Sequence, residues 1–164
     1  MKKNFGIIGN PIKHSLSPVL HKHWFDKYGL DASYSTIEAK DGDLKDIVNR
    51  IRNNELAGIN VTLPFKQKII NQTDKIINDA ELTGSVNTIL LDNNKIIGEN
   101  TDVFGLQAAY LKEIDSSLHK SALIIGAGGV SPSVILSLQK SGIKEIAITN
   151  RTNEKCIFLK KRFT

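Results

Sequence analysis

The feature that most constrains the fold is the alternation of apolar, strand-like runs with helical patterns along the chain. Strand-like runs occupy residues 5–9, 32–39, 58–64, 86–91, 95–100 and 145–150, and another opens the segment 121–129. Helical patterns separate most of them. Parallel strands need a long crossover connection, usually a helix, so this alternation predicts an α/β fold with a mainly parallel sheet.

Local signals predict where several of the elements begin and end. Ser17 and Pro18 are expected to be the N-cap and first position of a helix that ends at Gly29. One face of this helix carries apolar residues at four-residue spacing: Leu20, Trp24 and Tyr28. Further helices are predicted at 43–53 and 130–141 and from Asn153, and short helices from Lys66 to about residue 80. Residues 86–100 are predicted to form a hairpin around a polar turn.

Composition narrows the classes of function. The chain has 164 residues and a formal net charge of +5, with a sequence pI near 9.3. The basic residues are scattered, whereas a nucleic-acid surface normally shows a basic stripe interleaved with aromatic residues, so no nucleic-acid partner is predicted. A positive field does suit a phosphorylated cofactor or a carboxylate substrate, because it raises the local concentration of anions.

Scarce residue types bear on compartment and metal content. Cys156 is the only cysteine, so it cannot form an internal disulfide or build a zinc site alone. We therefore expect a cytoplasmic protein without a metal site. No run approaches the ~20 apolar residues needed to span a bilayer, and Asn10 and Pro11 break the first apolar run early. Neither a signal peptide nor a membrane partner is predicted.

A glycine-rich turn marks a candidate nucleotide site. The turn consists of Gly126, Ala127, Gly128 and Gly129, and it follows an apolar strand and precedes a helix. In the dinucleotide fingerprint, glycines at this place let the backbone approach a pyrophosphate at a helix N-terminus. Ser131 replaces the third glycine and is small enough for close packing. Taken alone, the motif also fits a simple strand–helix turn.

The end of the next strand indicates which cofactor the turn would hold. Asn150, Arg151 and Thr152 stand about where NAD enzymes place an acidic residue for the ribose hydroxyls. Arg151 instead offers a permanently charged fork to a 2′-phosphate, with Asn150 and Thr152 as hydrogen-bond partners. NADP is therefore favoured over NAD.

Four polar patches in residues 1–102 lie where a plain α/β core would not need them. The first contains Ser15 and Ser17, two hydroxyls before a helix N-terminus that could receive a carboxylate. The other three hold Asn60, Thr62 and Lys66; Asn87; and Asp102. Each patch has a simpler explanation when taken singly, such as a helix cap, a solvated lysine or a turn residue.

The order and spacing of the patches, followed by the glycine turn and residues 150–152, resemble the shikimate dehydrogenase family. The resemblance rests on GNPIKHSLSP (9–18), NVTLPFK (60–66), VNTI (86–89) and NTD (100–102), and it covers the entire chain. It implies an N-terminal α/β substrate-binding domain followed by an incomplete Rossmann-like NADP-binding domain. It also implies NADPH-dependent, reversible reduction of 3-dehydroshikimate to shikimate in aromatic amino acid biosynthesis.

The resemblance implies a role for each polar patch. Lys66 and Asp102 would be the catalytic pair. The implied substrate contacts are Ser15 and Ser17 for the carboxylate, and Thr62, Asn87 and Asp102 for the ring hydroxyls. The implied cofactor contacts are Gly126, Ala127, Gly128, Gly129, Asn150, Arg151 and Thr152. The partners are small molecules, and a homodimer is compatible with the resemblance.

The reaction explains why a lysine and a carboxylate belong together. Hydride reduction of a ketone leaves an alkoxide-like oxygen that needs positive charge and a proton donor, and the reverse reaction needs a base. Lys66 meets both needs if Asp102 holds it in place. The sequence leaves open which of the two transfers the proton, because a coupled pair can act as one unit.

Length sets the expected domain organisation. We predict a substrate-binding domain at 1–102, a connecting helix and linker at 103–120, with apolar positions Val103, Leu106, Tyr110 and Ile114, and a partial dinucleotide domain at 121–164. A complete dinucleotide domain needs on the order of 120 residues, so the chain is expected to be a fragment with a poorly closed second domain. Two alternatives stay open: a non-catalytic shikimate-binding module, and a quinate/shikimate dehydrogenase that uses NAD.

Overall fold

The computed structural model describes residues 2–113 and 120–164, which form two β-sheets with surrounding helices. The first sheet contains β1 (Lys3–Gly9), β2 (Ala32–Glu38), β3 (Gly58–Val61), β4 (Lys75–Ile76), β5 (Thr88–Asp92) and β6 (Lys95–Glu99). The second contains β7 (Ser121–Ile125) and β8 (Glu145–Thr149). The α-helices are α1 (Ser17–Lys27), α2 (Leu44–Arg52), α3 (Asp79–Thr83), α4 (Asp102–Ala109), α5 (Ser131–Lys140) and α6 (Asn153–Phe163). The predicted α/β class is confirmed.

The first sheet has the strand order β2-β1-β3-β5-β6-β4. The pairs β1–β2, β1–β3 and β4–β6 are parallel, whereas β3–β5 and β5–β6 are antiparallel. Helices α1 and α2 supply the crossovers of the parallel strands, and α5 does the same between the parallel strands β7 and β8. The predicted hairpin is the β5–β6 pair, and its turn residues Asn93 and Asn94 adopt φ values of 47° and 61°, as tight hairpin turns require.

The main core lies between one face of the first sheet and α2. This helix buries Leu44, Ile47, Val48 and Ile51, whose spacing of three and four residues gives one apolar stripe. The strands contribute alternate residues to the same cluster: Ile8, Ile59, Val61, Ile89 and Ile96. The opposite face of the sheet therefore presents the intervening strand positions, among them Tyr34, Asn60 and Thr88.

One prediction for the first helix is wrong. Ser17 is the first residue of α1 rather than its N-cap, and Leu16 at the N-cap position makes no side-chain capping bond. Ser15 takes over part of that role, since its Oγ accepts the N–H of Ser17 at 3.3 Å. The apolar stripe does not face a core, because Leu20 and Tyr28 are 53% and 64% exposed. The helix packs on the sheet edge, so its four-residue spacing reflects local stacking of Trp24 on Tyr28.

Three predicted boundaries also change. Residues 66–80, predicted as short helices, contain the 3₁₀ helix Lys68–Gln72 but also the strand β4, whose two residues pair with the far edge of β6. β3 ends at Val61, short of the predicted residue 64. The helix that opens at Asp102 ends at Ala109 and is followed by the 3₁₀ helix Leu111–Glu113, while the predicted position Ile114 lies outside the described residues.

Helix α5 joins the two sheets. It packs against α4 and α3 on one side and against β7 and β8 on the other, and Ser131, Pro132, Ser133, Ile135, Leu136, Ser137 and Leu138 are buried. Three of these seven residues are serines, so the junction is a polar contact rather than a purely apolar one. The domain limits at 102 and 121 remain a prediction. Within the described residues, no helix combines the length and apolarity needed to cross a membrane.

Core packing predicts a large difference between two isoleucines on strands. Ile89 is fully buried in the main core, whereas Ile125 is 83% exposed at the end of β7. Ile89→Ala is expected to lower the free energy of unfolding by about 2–5 kcal/mol, because it removes buried methyl groups and leaves a cavity. Ile125→Ala should change it by less than about 0.5 kcal/mol. Urea denaturation of both variants measures this, and equal losses would contradict the assigned core.

Candidate active site

Lys66 and Asp102 form an ion pair beyond the carboxyl-terminal ends of β3 and β6. Lys66 Nζ donates a hydrogen bond to Asp102 Oδ2 at 2.6 Å, and the two side chains are 13% and 24% exposed. Lys66 follows the turn after β3, and Asp102 is the first residue of α4. A short, partly buried, charge-assisted bond of this kind orients both groups more strongly than a solvated pair would.

Asn87 holds the second oxygen of the carboxylate. Its Nδ2 donates to Asp102 Oδ1 at 2.8 Å, and its Oδ1 accepts the backbone N–H of Thr101 at 2.9 Å. Both oxygens of Asp102 are therefore bonded, one to Lys66 and one to Asn87. The sequence predicted Asn87 as a substrate contact, and the structure gives it a second task in orienting the carboxylate.

Hydrogen bonds and one ring stack connect this pair with residues 9–18, which we call the serine loop because they contain Ser15 and Ser17. Tyr34 Oη donates to Asn60 Oδ1 at 2.7 Å, and Asn60 Nδ2 donates to the backbone oxygen of Asn87 at 3.2 Å. The ring of His21 stacks on Tyr34 with centroids 3.9 Å apart, and its Nδ1 bonds to the backbone oxygen of Ser17 at 2.9 Å. Since a carbonyl only accepts, His21 Nδ1 carries the proton.

The sequence assigns no role to Tyr34. It places Asn60 in a polar patch but gives it no specific role. The available signal was the alternation of the strands. Asn60 stands on β3 and Tyr34 on β2, each on the face opposite the α2 core, where a polar side chain finds partners. A tyrosine in a strand is ordinarily a half-buried aromatic residue, so the sequence alone does not predict its contact with Asn60. That contact follows from the order of the strands in the sheet.

The serine loop lies against the segment that follows β3. Asn10 N–H donates to Leu63 O at 3.0 Å, and Thr62 N–H donates to Ile8 O at 2.9 Å. A Cβ on Gly9 would lie 2.6 Å from Thr62 Cγ2, closer than side chains tolerate, so glycine permits this approach. Ser15, Ser17 and Thr62 are half-buried. The structure thus places these predicted substrate residues at the same end of the first sheet as Lys66, beyond the carboxyl-terminal ends of β1 and β3.

The glycine turn faces Lys66 across a cleft of about 410 Å³. The cleft is lined on one side by Leu63, Pro64 and Lys66 and on the other by Ala127, Gly128, Gly129 and Pro132, with Phe158 and Leu159 of α6 among the further residues. A Cβ on Gly129 would lie 3.9 Å from Lys66 Cδ. The turn and Lys66 therefore border one space.

The turn itself is held from both ends. Gly126 has φ +111°, a conformation that favours glycine, and its carbonyl accepts a hydrogen bond from Ser131 Oγ at 3.0 Å. Asn150 Oδ1 accepts the N–H of Ala127 at 3.2 Å, while Asn150 Nδ2 donates to Thr152 O. Asn150 thus braces the turn, whereas Arg151 is exposed at the end of β8.

Residues 7–89 match the family model described as the shikimate dehydrogenase substrate binding domain, and residues 109–164 match the model described as shikimate / quinate 5-dehydrogenase. The chain belongs to the shikimate dehydrogenase family. A curated relative named shikimate dehydrogenase (NADP(+)) from Pelagibacter ubique is 46% identical over 163 residues, which cover 99% of this chain and 62% of the relative.

Two solved family structures carry ligands. The shikimate 5-dehydrogenase from Thermus thermophilus, in complex with NADP(H) and shikimate, is 31% identical with a TM-score of 0.86, over 98% of this chain and 60% of that one. The enzyme from Listeria monocytogenes, in complex with shikimate and NAD, is 36% identical with a TM-score of 0.86, over 99% and 57%. The chain spans about three fifths of the length of these relatives.

The environment of Tyr34 predicts a dependence of stability on pH. Burial raises the pKa of Tyr34 from 10.0 to about 12, and hydrogen bonding with Ser17 partly opposes the shift. The folded state therefore holds this proton more tightly than the unfolded state does. The resulting stabilisation is complete below pH 10 and is lost as the pH rises towards about 12.

Tyr34→Phe should remove this contribution, so its free energy of unfolding should fall less steeply than that of the wild type above about pH 10. Denaturant unfolding of both proteins at several pH values measures the slopes. Tyr28→Phe is the matched control, because Tyr28 is exposed and should leave the wild-type slope unchanged. Equal slopes in Tyr34→Phe and the wild type would contradict the prediction.

Proposed function

We propose that this chain carries the catalytic site for NADPH-dependent, reversible reduction of 3-dehydroshikimate to shikimate, a step in aromatic amino acid biosynthesis. The observation that carries the proposal is the 2.6 Å ion pair of Lys66 and Asp102 beside the cleft that the glycine turn borders. Membership of the shikimate dehydrogenase family supports it, as do the names of the relatives.

The proposed chemistry uses the pair as a proton donor held next to the carbonyl. Hydride addition to the ketone carbon places negative charge on its oxygen, and the Lys66 ammonium stabilises that charge and supplies the proton. Asp102 accepts a hydrogen bond from Lys66 throughout and keeps the ammonium aimed at the oxygen. In the reverse direction, neutral Lys66 would remove the proton from the hydroxyl, and the oxidised cofactor, when bound, would accept the hydride from the same carbon.

The remaining polar patches would orient the substrate. Ser15 and Ser17 offer hydroxyls to the carboxylate, and Thr62 and Asn87 offer hydrogen bonds to the ring hydroxyls. All four are half-buried or buried at the same end of the first sheet as Lys66, which supports their assignment because desolvated hydrogen-bond partners discriminate strongly between substrates. Asn87 would contact the substrate while its amide keeps the Asp102 carboxylate in place.

The glycine turn fits the pyrophosphate of a dinucleotide. Cβ atoms built on Gly126 and Gly128 meet nothing within 4 Å, so the turn is open to a ligand at these two positions. NADPH supplies the hydride when it is bound. Arg151 would pair with the 2′-phosphate beside Thr152, while Asn150 acts by bracing the turn. Pro132 stands where family members often have an arginine, so one expected phosphate contact is missing.

A second candidate function is a shikimate-binding module that does not turn over. It is favoured by the match of residues 7–89 to the family model described as the shikimate dehydrogenase substrate binding domain. The proposed compartment is the cytoplasm, in keeping with the single cysteine, and a homodimer remains a prediction. Calorimetric titration with shikimate and an NADPH oxidation assay with 3-dehydroshikimate separate the two functions, since the module binds without oxidising NADPH.

Removing the charge of either member of the pair should abolish most of the turnover. Lys66→Ala is expected to lower kcat by about 10²–10⁴-fold, the usual contribution of a positioned proton donor. Asp102→Asn should lower it by a similar order, because the ammonium loses its charged partner. Shikimate should still bind to Lys66→Ala, since the hydroxyl contacts remain. Steady-state kinetics and calorimetry measure both quantities.

Lys68→Ala is the matched control for Lys66→Ala. Lys68 is two residues along the chain and forms an exposed ion pair with Asp41, away from the cleft, so its loss should leave kcat within about 2-fold of wild type. Full turnover by Lys66→Ala would refute the catalytic pair. A wild type that neither binds shikimate nor oxidises NADPH would refute the proposed function.

Arg151 should decide the preference between the two nicotinamide cofactors. Arg151→Gln is expected to raise KM for NADPH by about 10-fold to 100-fold, corresponding to the ~1.5–3 kcal/mol of a hydrogen bond to a charged group. KM for NADH, which lacks the 2′-phosphate, should stay unchanged. Arg50→Gln serves as the control, because Arg50 lies on α2 and pairs with Glu55. An equal effect on both cofactors would exclude Arg151 from phosphate binding.

A further inference from the structure

Asn100 is a buried residue that bonds directly to the backbone of the catalytic aspartate. Its side chain is almost inaccessible, with 4% of the residue exposed. Asn100 Oδ1 accepts the N–H of Asp102 at 3.0 Å and the N–H of Val103 at 3.3 Å. These are the first two residues of α4, whose N–H groups have no partner within the helix. Asn100 therefore fixes the point from which the Asp102 carboxylate projects.

The same amide reaches the helix that follows the glycine turn. Asn100 Nδ2 donates to Ser133 Oγ at 2.9 Å and to Ser85 O at 2.8 Å. Ser133 belongs to the first turn of α5 and is 1% exposed. One side chain thus connects the start of α4, which carries Asp102, to the start of α5, which carries the glycine turn.

A second polar link runs parallel to the first. Ser85 is fully buried, and its Oγ donates to the carbonyl of Gly129 in the glycine turn at 3.1 Å. Among the described residues, no buried side-chain nitrogen or oxygen lacks a hydrogen-bond partner. Sliding α5 relative to α4 would break bonds that water cannot replace at these buried positions, so the arrangement resists displacement.

We infer that Asn100 and Ser133 are positioning residues, which hold the Asp102 carboxylate and the glycine turn in one fixed geometry. The inference rests on the proposed function and adds to it a pair of residues that touch neither substrate nor cofactor. Hydride transfer needs the reacting carbon, the hydride donor and the proton donor aligned together, and a misplacement of 1 Å can cost on the order of 100-fold in rate. The buried amide sets that alignment through Asp102 on one side and α5 on the other.

The chain offers a matched control on the same helix. Ser137 is buried one turn further along α5, and its Oγ bonds to Val103 O at 3.1 Å and to Ser133 O at 2.7 Å. It bonds to Val103 of α4 but not to the Asn100 side chain. Ser133→Ala and Ser137→Ala each remove one buried hydroxyl from the junction, and alanine is the best helix former, so both variants should fold.

The test compares the two variants in steady-state kinetics with 3-dehydroshikimate and NADPH. Ser133→Ala is expected to lower kcat by about 10-fold or more while KM for both substrates changes by less than about 3-fold, because alignment is lost and binding is kept. Ser137→Ala should keep kcat within about 2-fold of wild type. Thermal unfolding should show similar losses of stability in both, so a difference in kcat would report positioning.

A second readout does not require turnover. In a chain labelled with ¹⁵N at lysine, the Nζ signal of Lys66 reports its bond to Asp102. That signal should shift in Ser133→Ala and in Asn100→Ala, and it should stay in place in Ser137→Ala. An active wild type with equal kcat values and equal Lys66 signals in both serine variants would overturn the positioning inference alone. A wild type without shikimate binding or turnover would refute the proposed function, and an unchanged Lys66 signal in Ser133→Ala would then overturn the inference as well.

Discussion

The partly buried ion pair of Lys66 and Asp102 is the interaction on which the arrangement of this site depends. Two charges withdrawn from water are unfavourable unless their remaining hydrogen-bonding capacity is used. Here Asn87 binds the second carboxylate oxygen, and Asn100 holds the backbone from which that carboxylate extends. The ion pair therefore requires a shell of buried amides, and that shell ties together β5, the loop after β6, and α4.

The same requirement explains why the junction between the sheets is polar. A junction built from leucine and isoleucine would tolerate sliding, because apolar contacts are non-directional. The hydrogen bonds made by Ser85 and Asn100 are directional, so they form in one register only. Near the outer edge, Arg162 of α6 adds bonds to the carbonyls at the end of α3, and a salt bridge joins Lys140 to Asp79. These directional bonds fix the glycine turn next to Lys66.

The sequence was sufficient for the features that depend on local periodicity and on motif spacing. The α/β class, the β5–β6 hairpin and the strand–turn–helix around Gly126 follow from patterns of a few residues each. Features that depend on the order of the strands in the sheet could not be predicted from the sequence. Tyr34 on β2 and Asn60 on β3 are 26 residues apart in sequence. Their side chains meet across β1, which lies between these two strands. Likewise, Asn100 belongs to the NTD motif (100–102), but its hydrogen-bond partner Ser133 is 33 residues away in sequence.

The helix α1 shows why periodicity alone can mislead. Its apolar residues follow a helical spacing, yet none of its residues is buried, because the helix packs mainly on the edge strand β2. The second sheet has a comparable face. Ala122, Ile124, Ile146 and Ile148 pack on the α5 side, whereas Leu123 and Ile125 are 65% and 83% exposed on the other.

Parallel sheets are usually covered on both faces, whereas the face of β7 and β8 that carries Leu123 and Ile125 is exposed. The ion pair does not depend on it. Every bond that fixes Lys66 and Asp102 comes from the first sheet, from α4 or from the buried side of α5. The geometry of the ion pair is therefore set by the well-packed part of the chain.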